Sequence, residues 1–208
     1  MLYRFIHRIF APWIVLPLFK LVNRLRVAGL EYIPAEGAAV IIANHISMWD
    51  PVILYCLIRR KAYYMAKSEL FAIPLLGPFL RRICVFPVKR DRIDRTALRK
   101  ASQVLEEGHV LTIFPEGHRS KTGEMQPFKQ GAALFAHRSE AAVIPVLFEN
   151  TQKAFPKSIG QKISVTVGPP LDLSAFYGKK SGAALLEEMT NEFRLGIASL
   201  KKDPEGLD

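Results

Sequence analysis

The sequence predicts a single α/β domain with a mixed, largely parallel sheet flanked by helices, preceded by an N-terminal hydrophobic helical segment. Short apolar runs rich in β-branched residues alternate along the chain with longer amphipathic stretches, and helical crossovers between strands produce parallel sheets. The 208 residues are 50% hydrophobic, which is enough for one sizeable core. No linker-like stretch divides the chain, so we expect N-terminal helices over 1–26 and one domain over 27–208.

The N-terminal segment combines apolar residues with positive charge. Residues 1–26 hold five Lys or Arg and no Asp or Glu. The uncharged run 9–19 is shorter than the ~20 apolar residues that span a bilayer, and Pro12 and Pro17 favour two short helices over one. Apolar residues lie nearly all round these helices, which predicts a segment lying in a membrane interface. The alternative is a helix packed on the protein's own core.

The later elements follow from hydrophobic period and from turn residues. Proline and glycine split the apolar stretch around 74–78 into two short helices. Asp91 is a candidate N-cap for the clearest helix, whose apolar face ends at Gly108. Pro51 fits the first turn of another helix. The predicted strands are 38–43, 62–65, 85–88, 109–113, 143–148 and 163–167, and the other predicted helices are 51–57, 130–138 and 181–200.

Composition restricts the classes of partner. The chain carries 29 Lys and Arg against 19 Asp and Glu, a net charge of +10, which indicates an anionic partner such as nucleic acid, an acidic membrane or a phosphorylated substrate. Its apolar content excludes a disordered basic tail. Two cysteines make no disulfide framework, and the histidines show no metal-ligand spacing. Nucleophile-elbow, Walker A and dinucleotide-binding motifs are absent.

Polar clusters follow three of the predicted strands. They are Asn44-His45…Asp50, Lys89-Arg90 and Glu116-Gly117-His118-Arg119. Ligands of open α/β sheets bind outside the carboxyl ends of the strands. If these strands are parallel neighbours, one crevice collects an imidazole, two carboxylates and two guanidiniums.

His45 and Asp50 form the candidate catalytic pair. A neutral imidazole takes a proton from a hydroxyl as that hydroxyl attacks, and a carboxylate on the other ring nitrogen fixes the tautomer. Five residues apart, the two side chains meet only if His45 lies on the turn after the strand and Asp50 begins the helix. The alternatives are a structural histidine and an N-cap aspartate.

The remaining candidates are typical of an anion site. Arg90 and Arg119 offer planar forks suited to phosphate, and Lys67 is a possible third cation. Glu116 accepts from a substrate hydroxyl or holds an arginine, and Gly117 lets substrate approach the backbone. Lys129 lies in the loop before the next helix, where it fits an anion-binding position and an ordinary surface position equally well.

Four blocks of the sequence together resemble the glycerolipid acyltransferases. Residues 44–50 resemble their H-x-x-x-x-D block, 86–90 a second block that ends in a substrate-binding arginine, 114–120 a third and 143–146 a fourth. The resemblance covers roughly residues 25–170 in order and spacing. It is closest to the short bacterial 1-acylglycerol-3-phosphate acyltransferases, although position 118 usually holds Thr or a similar small residue in the family.

This resemblance implies a reaction and a set of roles. A fatty acyl group passes from a thioester of acyl-carrier protein or coenzyme A to 1-acylglycerol 3-phosphate, forming phosphatidic acid without a metal or redox cofactor. His45 is then the base and Asp50 its orienter. The acceptor-binding residues are Lys67, Arg90, Glu116, Gly117 and Arg119. A backbone N–H near the His45 turn is a candidate for stabilising the oxyanion.

The expected surroundings are the cytoplasmic face of an anionic membrane, with peripheral or monotopic attachment and no nucleic acid. Two alternatives stay open at this point. In the first alternative, the enzyme acylates a different acceptor, namely another lysolipid, such as a lyso-ornithine lipid, or glycerol 3-phosphate itself. In the second alternative, the chain is not an enzyme but a basic membrane-binding module.

Overall fold

The computed structural model describes residues 13–89 and 94–201, which form a seven-stranded sheet between two layers of helices. The strands are β1 (Arg26–Ala28), β2 (Ala39–Ala43), β3 (Ala62–Lys67), β4 (Val85–Val88), β5 (Val110–Ile113), β6 (Ala142–Glu149) and β7 (Ser164–Val167). The α-helices are α1 (Leu16–Asn23), α2 (Asp50–Leu57), α3 (Leu76–Arg82), α4 (Arg95–Glu106), α5 (Gly131–Ser139) and α6 (Ala183–Ala198).

The strand order across the sheet is β1-β7-β6-β2-β5-β3-β4. The five strands from β6 to β4 are parallel, β7 is antiparallel to β6, and β1 is parallel to β7. The predicted mixed, largely parallel sheet is therefore confirmed. The carboxyl ends of β2, β5, β3 and β4 lie along one edge, as the placement of the polar clusters requires.

The strand at the centre of the sheet is buried on both faces. All five residues of β2 are buried because Ile41 faces one core cluster while Val40 and Ile42 face the other. One cluster contains α1 and α2, and the second contains α4, α5 and α6. The continuous apolar character of β2 in the sequence follows from this double burial.

The predicted strands and helices that fall within the described residues are present, with ends that agree or differ by up to three residues, and two details differ. Strand β1 was not predicted, because three residues of an edge strand leave no alternation to detect. Asp94, rather than Asp91, caps α4 by accepting the backbone N–H groups of Thr96 and Ala97; Asp91 lies outside the described residues.

Helix α1 has two apolar faces. Phe19 is 2% exposed and packs in the core, whereas Leu21 is 85% exposed. Trp13, which precedes the helix, is 74% exposed. Asn23, at the end of the helix, donates to the Ser158 carbonyl and accepts from the Phe155 N–H. One side of this helix therefore packs on the protein's own core, and the other side exposes apolar residues. Residues 1–12 of the N-terminal segment lie outside the described residues, and no helix in the described part of the chain is long and apolar enough to cross a membrane.

Candidate active site

The site lies where the chain changes direction across the sheet. From β2 the chain crosses through α2 to β3 on one side, whereas from β5 it crosses through α5 to β6 on the other. A crevice opens outside the carboxyl ends of two neighbouring strands at such a switch point. His45 follows β2 and Glu116 follows β5. The polar clusters at the ends of these two neighbouring strands therefore meet at this point.

His45 and Asp50 are in contact. The Nδ1 atom of His45 lies 3.0 Å from Oδ2 of Asp50, with the histidine on the turn after β2 and the aspartate at the first residue of α2. Nε2 of His45 makes no hydrogen bond to any residue that the structure describes. The ring packs on Phe114 with centroids 4.4 Å apart. A ring with a proton on Nδ1 presents the Nε2 lone pair to the crevice.

The Asp50 carboxylate is fully buried and accepts four hydrogen bonds. Besides His45, the backbone N–H groups of Ile46 and Ser47 donate to Oδ2 at 2.8 and 2.7 Å. The Thr151 hydroxyl donates to Oδ1 at 2.5 Å. These donors compensate the loss of hydration that burial imposes on the carboxyl group.

Glu116 holds the His45 turn from the β5 side. Its side chain is buried, at 1% exposure, and accepts from the His45 N–H at 2.7 Å and from the Gln126 N–H at 3.0 Å. Burial raises the pKa of Glu116, and these two bonds offset part of that increase. The Ser120 N–H donates to the His45 carbonyl at 2.7 Å. Both oxygens of Glu116 are thus occupied by backbone rather than directed at a ligand.

The candidate oxyanion donors of the His45 turn are already in use. The backbone N–H of His45 is bound to Glu116, and those of Ile46 and Ser47 are bound to Asp50. A carboxylate is a stronger acceptor than a thioester carbonyl oxygen. The expectation that this turn supplies the oxyanion donor is therefore wrong for these three groups.

The basic side of the crevice comprises Gly117, Arg119 and Lys129. Arg119 is exposed and makes no ion pair with any residue in the described ranges. Gly117 has a φ of +74°, and a Cβ placed on it would lie 3.0 Å from Cε and 3.1 Å from Nζ of Lys129. The absent side chain leaves room for that lysine, whose N–H is bound to the Pro115 carbonyl.

One predicted acceptor-binding residue, Lys67, is not beside His45, and another, Arg90, is not among the described residues. Lys67 ends β3, two strands from β2 and so about 10 Å across the sheet, and its ammonium lies 2.7 Å from Glu69. That contact lowers the pKa of Glu69 to about 2. Arg90 lies outside the described residues, and Lys89 follows the edge strand β4.

Sequence reasoning missed Thr151 and undervalued Lys129. Thr151 lies 101 residues from Asp50 in the sequence, so no local spacing relates them. Lys129 follows Phe128 in a loop, and only its packing on Gly117 distinguishes it from other surface lysines. Among the described residues, no group of three or more His, Cys, Asp or Glu side chains forms a metal-ligand set.

Comparisons with known proteins identify the family of the chain. The Acyltransferase family model matches residues 24–149. A 1-acyl-sn-glycerol-3-phosphate acyltransferase of Bacillus subtilis is 29% identical over 174 residues, 82% of this chain and 86% of that protein. One from Borreliella burgdorferi is 32% identical over 156 residues, 72% of this chain and 62% of that protein.

The fold is also that of a solved structure. The crystal structure of the 1-acyl-sn-glycerophosphate (LPA) acyltransferase PlsC from Thermotoga maritima superimposes with a TM-score of 0.71. The match covers 97% of this chain and 82% of that one, at 24% sequence identity. It extends the likeness beyond the family-model region to both ends of the described fold.

Proposed function

The chain belongs to the acyltransferase family, and on that premise we propose that it transfers a fatty acyl group from a thioester to the free hydroxyl of 1-acylglycerol 3-phosphate, forming phosphatidic acid. The observation that carries this proposal is the 3.0 Å contact between Nδ1 of His45 and Asp50, which leaves Nε2 open to the crevice. The names of the bacterial relatives support the choice of acceptor.

The proposed step needs one base and no covalent enzyme intermediate. The acceptor O–H gives its proton to Nε2 of His45 while its oxygen attacks the thioester carbonyl carbon. Asp50 stabilises the imidazolium through Nδ1–H. When the tetrahedral intermediate collapses, the C–S bond breaks and the imidazolium returns the proton to the departing thiolate. A thioester is sufficiently activated for this direct attack, so no metal or redox cofactor is required.

The basic side of the crevice is the proposed phosphate site. Arg119 supplies a guanidinium fork and Lys129 an ammonium beside Gly117, and both side chains are exposed. Lys67 joins them only by releasing Glu69, and Arg90 is proposed from its sequence block alone. Glu116 is assigned here to holding the His45 turn, because both of its oxygens accept backbone N–H groups.

An acceptor panel tests the proposed reaction. Purified full-length protein is supplied with 1-acylglycerol 3-phosphate, a lyso-ornithine lipid or glycerol 3-phosphate, each with acyl-coenzyme A or acyl-carrier protein as donor. Release of free thiol and the mass of the lipid product are measured together. We expect the highest kcat/KM for 1-acylglycerol 3-phosphate. Faster acylation of either other acceptor would overturn the assignment.

The same site is proposed to face an anionic membrane. Exposed apolar side chains surround the His45 loop, which comprises residues 44–50. They form a lipid-facing rim of Leu18, Leu21, Met48, Phe155 and Ile159.

The segments that carry this rim are joined by residues next to its members. The Phe19 and Trp49 rings lie 5.0 Å apart, and Trp49 Nε1 donates to the Phe155 carbonyl at 2.7 Å. The exposed cations Lys20 and Arg24 flank it on the α1 side, where anionic headgroups would meet them. A lipid acceptor then reaches His45 without leaving the bilayer surface.

Vesicle partitioning tests the rim. Leu21→Glu replaces an 85% exposed leucine of α1, and Leu195→Glu is the matched control in α6, where the leucine is 47% exposed. Burial of one leucine contributes about 1.5–3 kcal/mol, so we expect Leu21→Glu to weaken partitioning into vesicles with anionic phosphatidylglycerol about 10-fold. Equal partitioning of the two variants would contradict the proposed orientation.

A further inference from the structure

Thr151 lies outside every sequence block that resembles the acyltransferases. It follows β6, after Asn150 in the left-handed region at φ 60°, and begins a one-turn 3₁₀-helix over Thr151–Lys153. The side chain is buried, at 1% exposure, and its Oγ1 donates to Oδ1 of Asp50. A residue from a different part of the chain thus contacts the carboxylate of the candidate catalytic pair.

This contact differs in origin from the other bonds to Asp50. The three donors on Oδ2 belong to residues 45–47, within the same loop. Among the described residues, Thr151 is the donor on Oδ1 and the one that comes from outside that loop. It therefore adds a bond on the second oxygen, which opposes rotation of the carboxylate away from the donors of the loop.

We propose that Thr151 is a positioning residue for acyl transfer, because it holds the Asp50 carboxylate with Oδ2 on Nδ1 of His45. The inference rests on the proposed function of that pair. As the acceptor proton moves to Nε2, the positive charge on the imidazole strengthens its pull on the carboxylate. With Oδ1 held by the hydroxyl, the carboxylate keeps its orientation during the step.

A purely structural link between β2 and β6 would not require the Thr151 hydroxyl. The Asn44 side chain already ties the end of β2 to β6, since it donates to the Phe148 carbonyl at 2.9 Å and accepts from the Phe148 N–H at 2.7 Å. Thr151 adds little to that connection. Its bond is directed instead at the carboxylate that orients His45, which favours a role in catalysis over a role in holding the sheet together.

Three variants test the role in turnover. Thr151→Val removes the hydroxyl at nearly constant volume, and Thr151→Ser keeps it. Thr112→Val is the matched control, because the Thr112 hydroxyl on β5 is equally buried and has no hydrogen-bond partner among the described residues. We expect Thr151→Val to lower kcat about 10-fold, equivalent to about 1.4 kcal/mol of activation free energy, with KM unchanged. Thr151→Ser and Thr112→Val stay within about 2-fold of the wild type.

An unchanged kcat in Thr151→Val, or a change confined to KM, would overturn the proposal. So would a loss of kcat that Thr151→Ser shares, since the hydroxyl would then not be the cause. If Thr151→Val does not fold, Thr151→Ala is measured against Thr151→Ser by the same criteria.

A second measurement does not depend on the reaction. In a double-mutant cycle on urea unfolding, Thr151→Val should destabilise the protein with Asp50 present and have no destabilising effect in Asp50→Ala. Equal destabilisation in both backgrounds would mean that the hydroxyl does not act on the carboxylate. If the wild type acylates none of the acceptors, the proposed function fails while this cycle still reports on the contact.

Discussion

The His45 loop and the basic side of the crevice face each other across the same opening, but they are held in different ways. The polar side chains Asn44 and Asp50 of the loop are buried and bonded: Asp50 accepts four hydrogen bonds and Asn44 makes two, while Glu116 holds the loop from the β5 side with two more. Arg119 and Lys129 are exposed and make no side-chain hydrogen bond or ion pair within residues 13–89 and 94–201.

This difference separates the chemistry from the recognition. A base must be held in one position before the substrate arrives, because reorganisation during the reaction adds to the barrier. The cations that bind the lipid phosphate acquire their partner only when the substrate binds. Until then they are hydrated and need no fixed position. Substitutions in the loop should therefore reduce kcat, and substitutions on the basic side should raise KM.

The largest effect is expected from His45→Ala. Loss of a general base reduces turnover by about 10²–10⁴-fold, whereas the lipid-facing rim is unaltered. We expect kcat to fall at least about 100-fold with unchanged partitioning into anionic vesicles. Thiol release and vesicle sedimentation measure the two quantities on the same preparation. Normal turnover in this variant would remove His45 from the mechanism.

Glu116→Ala should give the next largest effect. The substitution leaves the buried N–H groups of His45 and Gln126 without their acceptor, which costs about 1–3 kcal/mol for each orphaned group. We expect a lower free energy of unfolding and a kcat about 10-fold lower or more, with KM for the acceptor nearly unchanged. Urea unfolding and steady-state kinetics provide the measurements. A variant of normal stability and kcat but raised KM would make Glu116 a substrate ligand instead.

Arg119→Ala should act on binding alone. A hydrogen bond to a charged group contributes about 1.5–3 kcal/mol, so KM for 1-acylglycerol 3-phosphate should increase about 10-fold at constant kcat. Arg138→Ala is the control, since Arg138 is exposed in the last turn of α5, away from the crevice. If kcat falls in Arg119→Ala while KM stays constant, the division between the two sides of the site fails.

Gly117→Ala should give the smallest effect and a specific one. Gly117 and Gly37 have φ values of +74° and +79°, so alanine strains the backbone equally at both. The Cβ at 117 also displaces Lys129, whereas no atom lies within 4 Å of one at 37. We expect both variants to lose about 1 kcal/mol of stability, and only Gly117→Ala to raise KM, by about 2- to 5-fold. Equal KM values in the two variants would exclude Lys129 from phosphate binding.

Local sequence patterns were sufficient for the elements and for part of the site. β2 was recognisable because a strand buried on both faces is a continuous apolar run. α4 was recognisable because apolar residues recur on its buried face and charged residues lie on the opposite face. His45 and Asp50 were expected to meet if His45 lies on the turn after the strand and Asp50 begins the helix, and the structure meets both conditions. Glu116 was predicted as a site residue and contacts the His45 turn, but its partners are backbone groups, which carry no sequence signal.

What the sequence alone determined is the order of strands and helices and the residues at the strand exits, because hydrophobic period and turn residues act over a few positions. The tertiary structure decided which exits are neighbours. It put β5 between β2 and β3, set Lys67 about two strands from His45, joined Thr151 to Asp50 and laid Lys129 over Gly117. Those contacts join segments that are far apart in the chain. No local spacing of residues indicates that such segments touch, because their contact depends on how the whole domain packs.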